Sequence, residues 1–204
     1  MDRFGTTFLV TGVATFLLGF FLQGVMPMIT MRNVRVASLA EVAKDPTPEF
    51  LQLAQDYPAE FAAAYGQPTP ESFGRAISDG KAIYIAEACW HCHSQQVRPV
   101  SQEDLRFGPV STAAEYENAM FLPHLFGTRR VGPDLIREAG RHSNDWQMAH
   151  LWDPRSVAPY SVMPMYPWFF DEQRRPTKRA IALVSYLQWL GSWIPEDQRI
   201  GGQG

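Results

Sequence analysis

Two thiols and an imidazole stand in a spacing that does chemistry in Cys89-Trp90-His91-Cys92-His93. The pattern Cys-x-x-Cys-His is the attachment sequence for a c-type haem. Thiols separated by two residues can each form a thioether to one porphyrin vinyl group. His93, the next residue, then lies beneath the ring to ligate the iron. Cys89 and Cys92 are the only cysteines in the chain. A structural zinc site draws on four Cys or His ligands in paired clusters, and no second pair exists. A thioredoxin-like pair belongs in a βαβ context, whereas the flanks here read as helix.

A haem iron makes further demands on the chain. The His93 imidazole must be held in one tautomer, which a hydrogen bond from Nδ1-H to a backbone carbonyl achieves. Gly132-Pro133-Asp134-Leu135 matches the Gly-Pro-x-Leu pattern of c-type cytochromes. There the Pro carbonyl accepts that hydrogen bond and the Leu packs on the ring, the roles expected of Pro133 and Leu135. Met163, in Val162-Met163-Pro164 before the final helix, is the expected sixth ligand. Its soft, neutral thioether favours Fe(II) and raises the potential. Met165 is the rival, while Met148 and Met120 read as packing residues. His124, His142 and His150 would allow a bis-His iron, but each reads more simply as a hydrogen-bonded or exposed histidine, and His91 is expected to point away from the metal. Arg98, Arg129, Arg130 and Arg155 are candidate partners for the haem carboxylates, since guanidinium suits them, with a surface ion pair as the plainer reading of each. Both axial positions filled leave no open site for a substrate. No Ser/His/Asp set or phosphate-binding glycine loop is visible, so the chain reads as an electron carrier.

The elements that must position these residues follow in order. No charged side chain occurs from Phe4 to Met31, and Arg3 and Arg32 bound the stretch. As a helix it would span about 42 Å, against a hydrocarbon core of about 30 Å. A single transmembrane helix fits, and Gly12, Gly19 and Gly24 would let a neighbouring helix approach closely. A cleaved signal peptide fits less well: the apolar run is long, and Gly24-Val25-Met26 is no small-x-small cleavage site. Arg32, Arg35 and Lys44 outnumber Arg3, which by the positive-inside rule would keep the large domain in the cytoplasm. Long domains translocate largely regardless of charge, however. Haem attachment in bacterial c-type cytochromes occurs on the outer face, so a periplasmic domain is expected.

Residues 36–79 read as a connector with short helices. Thr47-Pro48-Glu49 and Thr69-Pro70-Glu71 each combine an N-cap, a proline at N1 and an acidic first turn. A helix from Pro58 to Tyr65 stops at Gly66. The first haem-domain helix is expected from Asp79, with Gly80 and Tyr84 on it. Residues 94–128 read as irregular, and 144–151 as a short helix ending near Asp153-Pro154. The last helix runs from about Pro176 to Leu190, with Ala180, Leu183, Val184, Leu187 and Leu190 in one apolar stripe and Gly191 at its end. The organisation expected is an anchor at 1–35, a connector at 36–79, a haem domain at 80–195 and a loose tail at 196–204. A net charge of −3 gives no basic footprint for nucleic acid.

From Gly80 through the attachment motif to Ser94-Gln95 the sequence resembles subunit II of cbb3-type cytochrome c oxidases, a membrane-anchored mono-haem cytochrome c. The likeness continues through Arg98-Pro99, Arg106-Phe107-Gly108, Gly127-Thr128-Arg129-Arg130-Val131-Gly132-Pro133-Asp134-Leu135, His150-Leu151, Asp153-Pro154-Arg155 and Met163-Pro164 to Tyr166-Pro167-Trp168. It covers 80–170 almost continuously. Departures are Gln96, where the family has Met, Leu125-Phe126-Gly127, where it has an aromatic-Gly pair, and Pro159-Tyr160-Ser161, where it has Pro-Glu-Ser. The resemblance implies a mostly α chain: one N-terminal transmembrane helix, then a class I cytochrome c fold whose first helix crosses the last near Tyr186 and Leu187. It implies one covalent haem c with His93/Met163 ligation and no small-molecule substrate. It implies assembly in the bacterial inner membrane with a heme–copper catalytic subunit that reduces O₂, and a di-haem or other cytochrome c as donor. The chain would then be a non-catalytic carrier within an oxidoreductase. A mono-haem subunit of a heme–copper nitric oxide reductase and a free anchored carrier are the alternatives. A haem sensor or peroxidase would need an open sixth site.

Overall fold

The computed structural model of the chain describes residues 2–127 and 130–195. Thr128, Arg129 and the expected loose tail at 196–204 lie outside the described residues. Secondary structure among the described residues is helical, with isolated β-bridges in place of strands. The chain divides into two units, one up to Val36 and one from Ala37 onward.

The first unit is an apolar rod. Helix α1 (Asp2–Phe20) passes through a π turn, Phe21–Val25, into α2 (Met26–Thr30). Pro27 accounts for the turn. It has no N–H, and its ring would collide with the carbonyl four residues back in a regular helix. A wider turn, with the Met26 N–H donating to Phe21 O, makes room. Thr15 and Thr30 return their hydroxyls to the carbonyls of Thr11 and Met26, each at 2.9 Å. Each hydroxyl thereby finds a partner on its own helix. Phe4–Thr30 is the one helical stretch among the described residues long and apolar enough to cross a membrane.

In the second unit the cap signatures do what their chemistry predicts. Ser38 and Glu41 form a capping box on α3 (Leu39–Val42). The Thr47 hydroxyl accepts from Phe50 N at the start of α4 (Pro48–Asp56). Helix α5 (Pro58–Tyr65) ends at Gly66, whose φ of +76° suits glycine. Thr69 and Ser72 form the box that opens α6 (Pro70–Ala86). The start expected at Asp79 is therefore wrong by more than two turns. Ser78-Asp79-Gly80 resembles a cap and breaker, but Asp79 sits inside the helix, accepting from Tyr65 Oη at 3.0 Å and pairing with Lys178 at 3.1 Å. The boundary placed between 79 and 80 falls within α6. The segment before it belongs to the same packed unit: Phe50 lies 4.8 Å from Phe73 and 5.1 Å from Phe61, ring centre to ring centre.

Short α7 (Asp104–Phe107) interrupts the irregular middle. Helix α8 (Asn144–Trp152) is capped by Ser143, and a short α9 (Pro154–Val157), capped by Asp153, follows where the sequence suggested only a stop. Helix α10 (Lys178–Trp189) closes the unit, with Gly191 just beyond it at φ +85°. Every residue of α10 from Ala180 to Trp189 is buried, not one stripe. The reason is that α4, α5 and α8 pack on it in addition to α6. Its polar residues are satisfied internally: the Ser185 hydroxyl donates to Ile181 O at 2.7 Å, and Gln188 Nε2 donates to His142 O at 2.8 Å.

Helices α6 and α10 cross at Gly80. A Cβ there would lie 2.1 Å from Ala182 O and 2.6 Å from Tyr186 Cβ, so only glycine lets the backbones approach this closely. One turn on, the Tyr84 and Tyr186 rings meet edge to face at 5.5 Å. This is the crossing the resemblance implied.

Candidate haem site

The attachment motif begins where α6 stops. Ala88 adopts a left-handed conformation, φ 57° and ψ 30°, that turns the chain out of the helix. Cys89–His91 then form a single 3-10 turn, and the N–H groups of Cys92 and His93 both donate to Cys89 O. This folds the two thiols and the imidazole into one compact turn. Burial, then the nearby Glu87 carboxylate, pushes the Cys89 thiol up to about 12. It is a neutral thiol at pH 7, unlike the low-pKa thiolate of a redox-active pair.

The segment 131–135 runs beside this turn and is bonded to it at both ends. Val131 N and Gly132 N both donate to Cys92 O, and Leu135 N donates to Ser94 O, each at 2.9 Å. Between these ties, His93 Nδ1 lies 2.9 Å from Pro133 O. A proton on Nδ1 makes that hydrogen bond and leaves Nε2 with its lone pair. Gly132 is required for the approach, because a Cβ there would lie 2.4 Å from His93 Cε1. Burial lowers the His93 pKa, opposed by the Pro133 bond.

Behind this pair lies a charged latch. Asp134, 3 % exposed, accepts from Ser94 Oγ at 2.5 Å, Gln96 N at 2.9 Å and Ile136 N at 2.9 Å. Arg130 donates to Ser94 Oγ and Glu103, and its guanidinium lies 5.0 Å from the Phe107 ring centre. Arg98 Nε donates to the other Glu103 oxygen at 3.0 Å. Burial raises Asp134 despite its hydrogen bonds. Burial also works to raise Glu103, but the bonds from Arg130 and Arg98 outweigh it and hold that carboxyl at about 2.

Two cavities open beside the motif, an inner one of about 110 Å³ and an outer one of about 520 Å³. Cys89, His93, Pro133, Trp146, His150 and Met163 line both. The inner wall adds Leu135, Leu151, Leu183, Leu187 and Tyr84, and the outer adds Cys92, Gly132, Val162 and Tyr166. Two polar atoms on the walls are buried without a partner, the Tyr84 hydroxyl and His150 Nδ1. Paired thiols, an oriented imidazole, an apolar wall and unsatisfied polar atoms are a donor set and a cradle that fit a haem.

The other candidates fall as follows. Met163 reaches both cavities, with its N–H donating to Ser161 Oγ at 3.2 Å, whereas Met165 is 48 % exposed and lines neither. Met120 and Met148 are buried in the core. His91 stacks on Trp90 and borders the outer cavity. His124 stacks on Phe126, away from both cavities. His142, two residues before α8, stacks on Trp146 at 3.7 Å, and Trp146 stacks on His150 within α8 at 4.7 Å. The hydrogen bond expected of His150 is missing at Nδ1. Arg98 and Arg130 are engaged by Glu103, and Arg155 Nε donates to Ser161 O at 3.3 Å; none of the three lines a cavity. Arg129 lies outside the described residues. Trp146 was missed from the sequence, although its spacing of four from both His142 and His150 was visible there.

The model of the family described as cytochrome c oxidase, mono-heme subunit/FixO matches residues 72–180. The chain belongs to that family. The match takes in the attachment turn, the segment 131–135 and Met163, and it begins inside α6, earlier than the resemblance read from Gly80. It bears out the likeness to subunit II of cbb3-type oxidases, and with it haem as the cofactor of this FixO-family chain. No curated protein matches the chain. The FixO family is one of membrane-bound oxidase subunits, and the Phe4–Thr30 helix agrees with that.

Proposed function

We propose that this FixO-family subunit relays single electrons from a cytochrome c donor, di-haem or other, into the heme–copper catalytic subunit of an oxidase that reduces O₂. In this reading Cys89 and Cys92 would hold a haem through two thioethers, His93 Nε2 and Met163 Sδ would ligate its iron, and Leu135 would give it an apolar contact on the His93 side. A haem c held there supplies a one-electron Fe(III)/Fe(II) couple. Pro133 O fixes the His93 tautomer, so that Nε2 is the nitrogen left for the metal. Gly132 keeps space for the ring, and Tyr84, Leu183 and Leu187 keep water from it. The Phe4–Thr30 helix anchors the subunit in the bacterial inner membrane with the second unit on the periplasmic side.

The observation that carries the reading is the 2.9 Å approach of His93 Nδ1 to Pro133 O beside two unbridged thiols, with Met163 on the same cavity walls. His150, with its unpartnered Nδ1, is the competitor of Met163. The test is purification of the native complex, with the large subunit identified and O₂ and NO consumption measured. Co-purification with a catalytic subunit that turns over O₂ supports the proposal. Turnover of NO in its place moves the assignment to a nitric oxide reductase, and a monodisperse free monomer in detergent contradicts the subunit reading. His150→Gln should leave the near-infrared sulfur-to-iron band in place.

A further inference from the structure

Four electron-rich rings run from the inner cavity to the surface. Tyr84, on α6, lines that cavity. Its ring meets Tyr186 at 5.5 Å, Tyr186 stacks on Trp189 at 5.9 Å, and Trp189 meets Trp193 at 4.7 Å, centre to centre. Tyr186 and Trp189 stand three residues apart on α10, a spacing that brings their rings together. Tyr84, Tyr186 and Trp189 are buried, whereas Trp193 is 37 % exposed. The family match ends at residue 180, so Tyr186, Trp189 and Trp193 lie outside it.

The outer end opens into a groove of about 620 Å³. Glu41, Asp45, Glu49, Glu115 and Glu117 line it together with Trp189 and Trp193, and no lysine or arginine does. Their field favours a positive charge on Trp193. The inner phenols differ. The Tyr84 hydroxyl is buried without a partner, and that of Tyr186 donates to Gln95 Oε1 at 3.2 Å. Neither has a base to take its proton, so an electron vacancy passes through them and does not rest there. We propose that Tyr84, Tyr186, Trp189 and Trp193 form a second redox path, which discharges excess oxidising equivalents from the haem cavity to this groove. It rests on the haem reading above and adds a protective role to it. The oxidant is a peroxide, the product of incomplete O₂ reduction. It enters by displacing Met163, which is flanked by the exposed Val162 and Pro164. Cleaving H₂O₂ to two molecules of water takes two electrons and two protons. The Fe(II)/Fe(III) couple supplies one electron. Trp193 supplies the other, together with its indole N–H proton, and solvent supplies the second proton. A soluble thiol, giving up one hydrogen atom, restores Trp193.

The test uses the full chain, haem-loaded, reduced and detergent-solubilised, mixed with stoichiometric H₂O₂ and a nitroso spin trap. Wild type is compared with Trp193→Phe, Trp189→Phe, Trp168→Phe and the haem-free Cys89→Ser/Cys92→Ser chain. Electron paramagnetic resonance and peptide mass mapping locate the radical. Wild type should carry the trap adduct on Trp193, and Trp193→Phe should lose it. Trp189→Phe should lose most of it while its haem absorbance stays that of wild type. Trp168→Phe, a change at another exposed tryptophan, should match wild type, and the haem-free chain should carry no adduct. The wild-type map decides between Trp193 and Trp146, the tryptophan on both cavity walls, whether or not Trp189→Phe loads haem. An adduct on Trp146 with none on Trp193, or no adduct at all in haem-loaded wild type, overturns the path and leaves the haem reading intact. So does an undiminished Trp193 adduct in Trp189→Phe or in the haem-free chain. A wild-type chain with no covalent haem overturns both.

Discussion

The two sides of the haem site are built differently. On the His93 side each piece of backbone is tied down. Segment 131–135 is bonded to Cys92 and Ser94, Asp134 is 3 % exposed with three hydrogen bonds, and Gly132 sits in contact with the imidazole. On the Met163 side the loop from Ala158 to Met165 is open. Tyr160 is 98 % and Val162 69 % exposed, and Met163 is held by the single bond to Ser161. The difference separates two tasks. One wall is preorganised, because the imidazole must arrive in a single tautomer and direction. The other presents an apolar rim, with Tyr160, Val162 and Met165 outward, where a partner protein can approach without an insulating layer.

The sharpest way to break that contrast is Gly132→Ala. The added methyl would lie 2.4 Å from His93 Cε1, so the imidazole or segment 131–135 must move. We expect little haem-loaded protein and a cost of about 3 kcal/mol or more in what forms, measured by absorbance per chain and by chemical denaturation. Loading equal to wild type would show that the His93 wall is not rigid. Asp134→Ala tests the latch behind it. It strands the Ser94 hydroxyl and the Gln96 and Ile136 N–H groups, and should cost about 2–4 kcal/mol, while Asp134→Asn recovers part of the loss.

The pH response discriminates between two buried acids. Glu103 is held at about 2, below its ordinary range, so its contribution is complete above the unfolded pKa and is lost as pH falls toward about 2. Glu138 is raised to about 7, above its unfolded value, so its contribution is complete below pH 4.5 or so and is lost as pH rises through about 7. Wild type should lose stability relative to Glu138→Gln between pH 5 and pH 7.5, on the order of 1–3 kcal/mol. An equal change in unfolding free energy for wild type and Glu138→Gln between the two pH values would remove Glu138 from the account. Smallest in stability, though not in spectrum, is Met163→Ala. On the open side it should cost less than about 1 kcal/mol, yet abolish the near-infrared sulfur-to-iron band and lower the potential, while Met165→Ala does neither. The reverse pattern, or loss of the band in His150→Gln, would reassign the ligand.

Much of this was readable from residue types. The attachment turn, the Pro133 carbonyl and the placement of Met163 follow from short spacings, and the Thr-Pro-Glu signatures locate the starts of α4 and α6. What was hidden depends on contacts distant in the chain. Asp79-Gly80 resembled a boundary because nothing local reveals that α10 crosses there and requires a glycine. Arg98 and Arg130 looked available for the haem because Glu103, which holds both, lies in an irregular stretch with no pattern of its own. Lys81 gave no signal either, yet it is buried with its ammonium donating to the carbonyls of Met120 at 2.6 Å and Leu122 at 2.9 Å, tying α6 to that stretch.

The central claim is a haem joined covalently through Cys89 and Cys92. The direct measurement is acid-acetone extraction of the purified chain, beside Cys89→Ser/Cys92→Ser, followed by intact mass and haem absorbance. The account predicts that haem stays with the wild-type polypeptide at one per chain and that none is covalently retained by the double variant. Haem that leaves the wild type on extraction, or remains bound in the double variant, would contradict it.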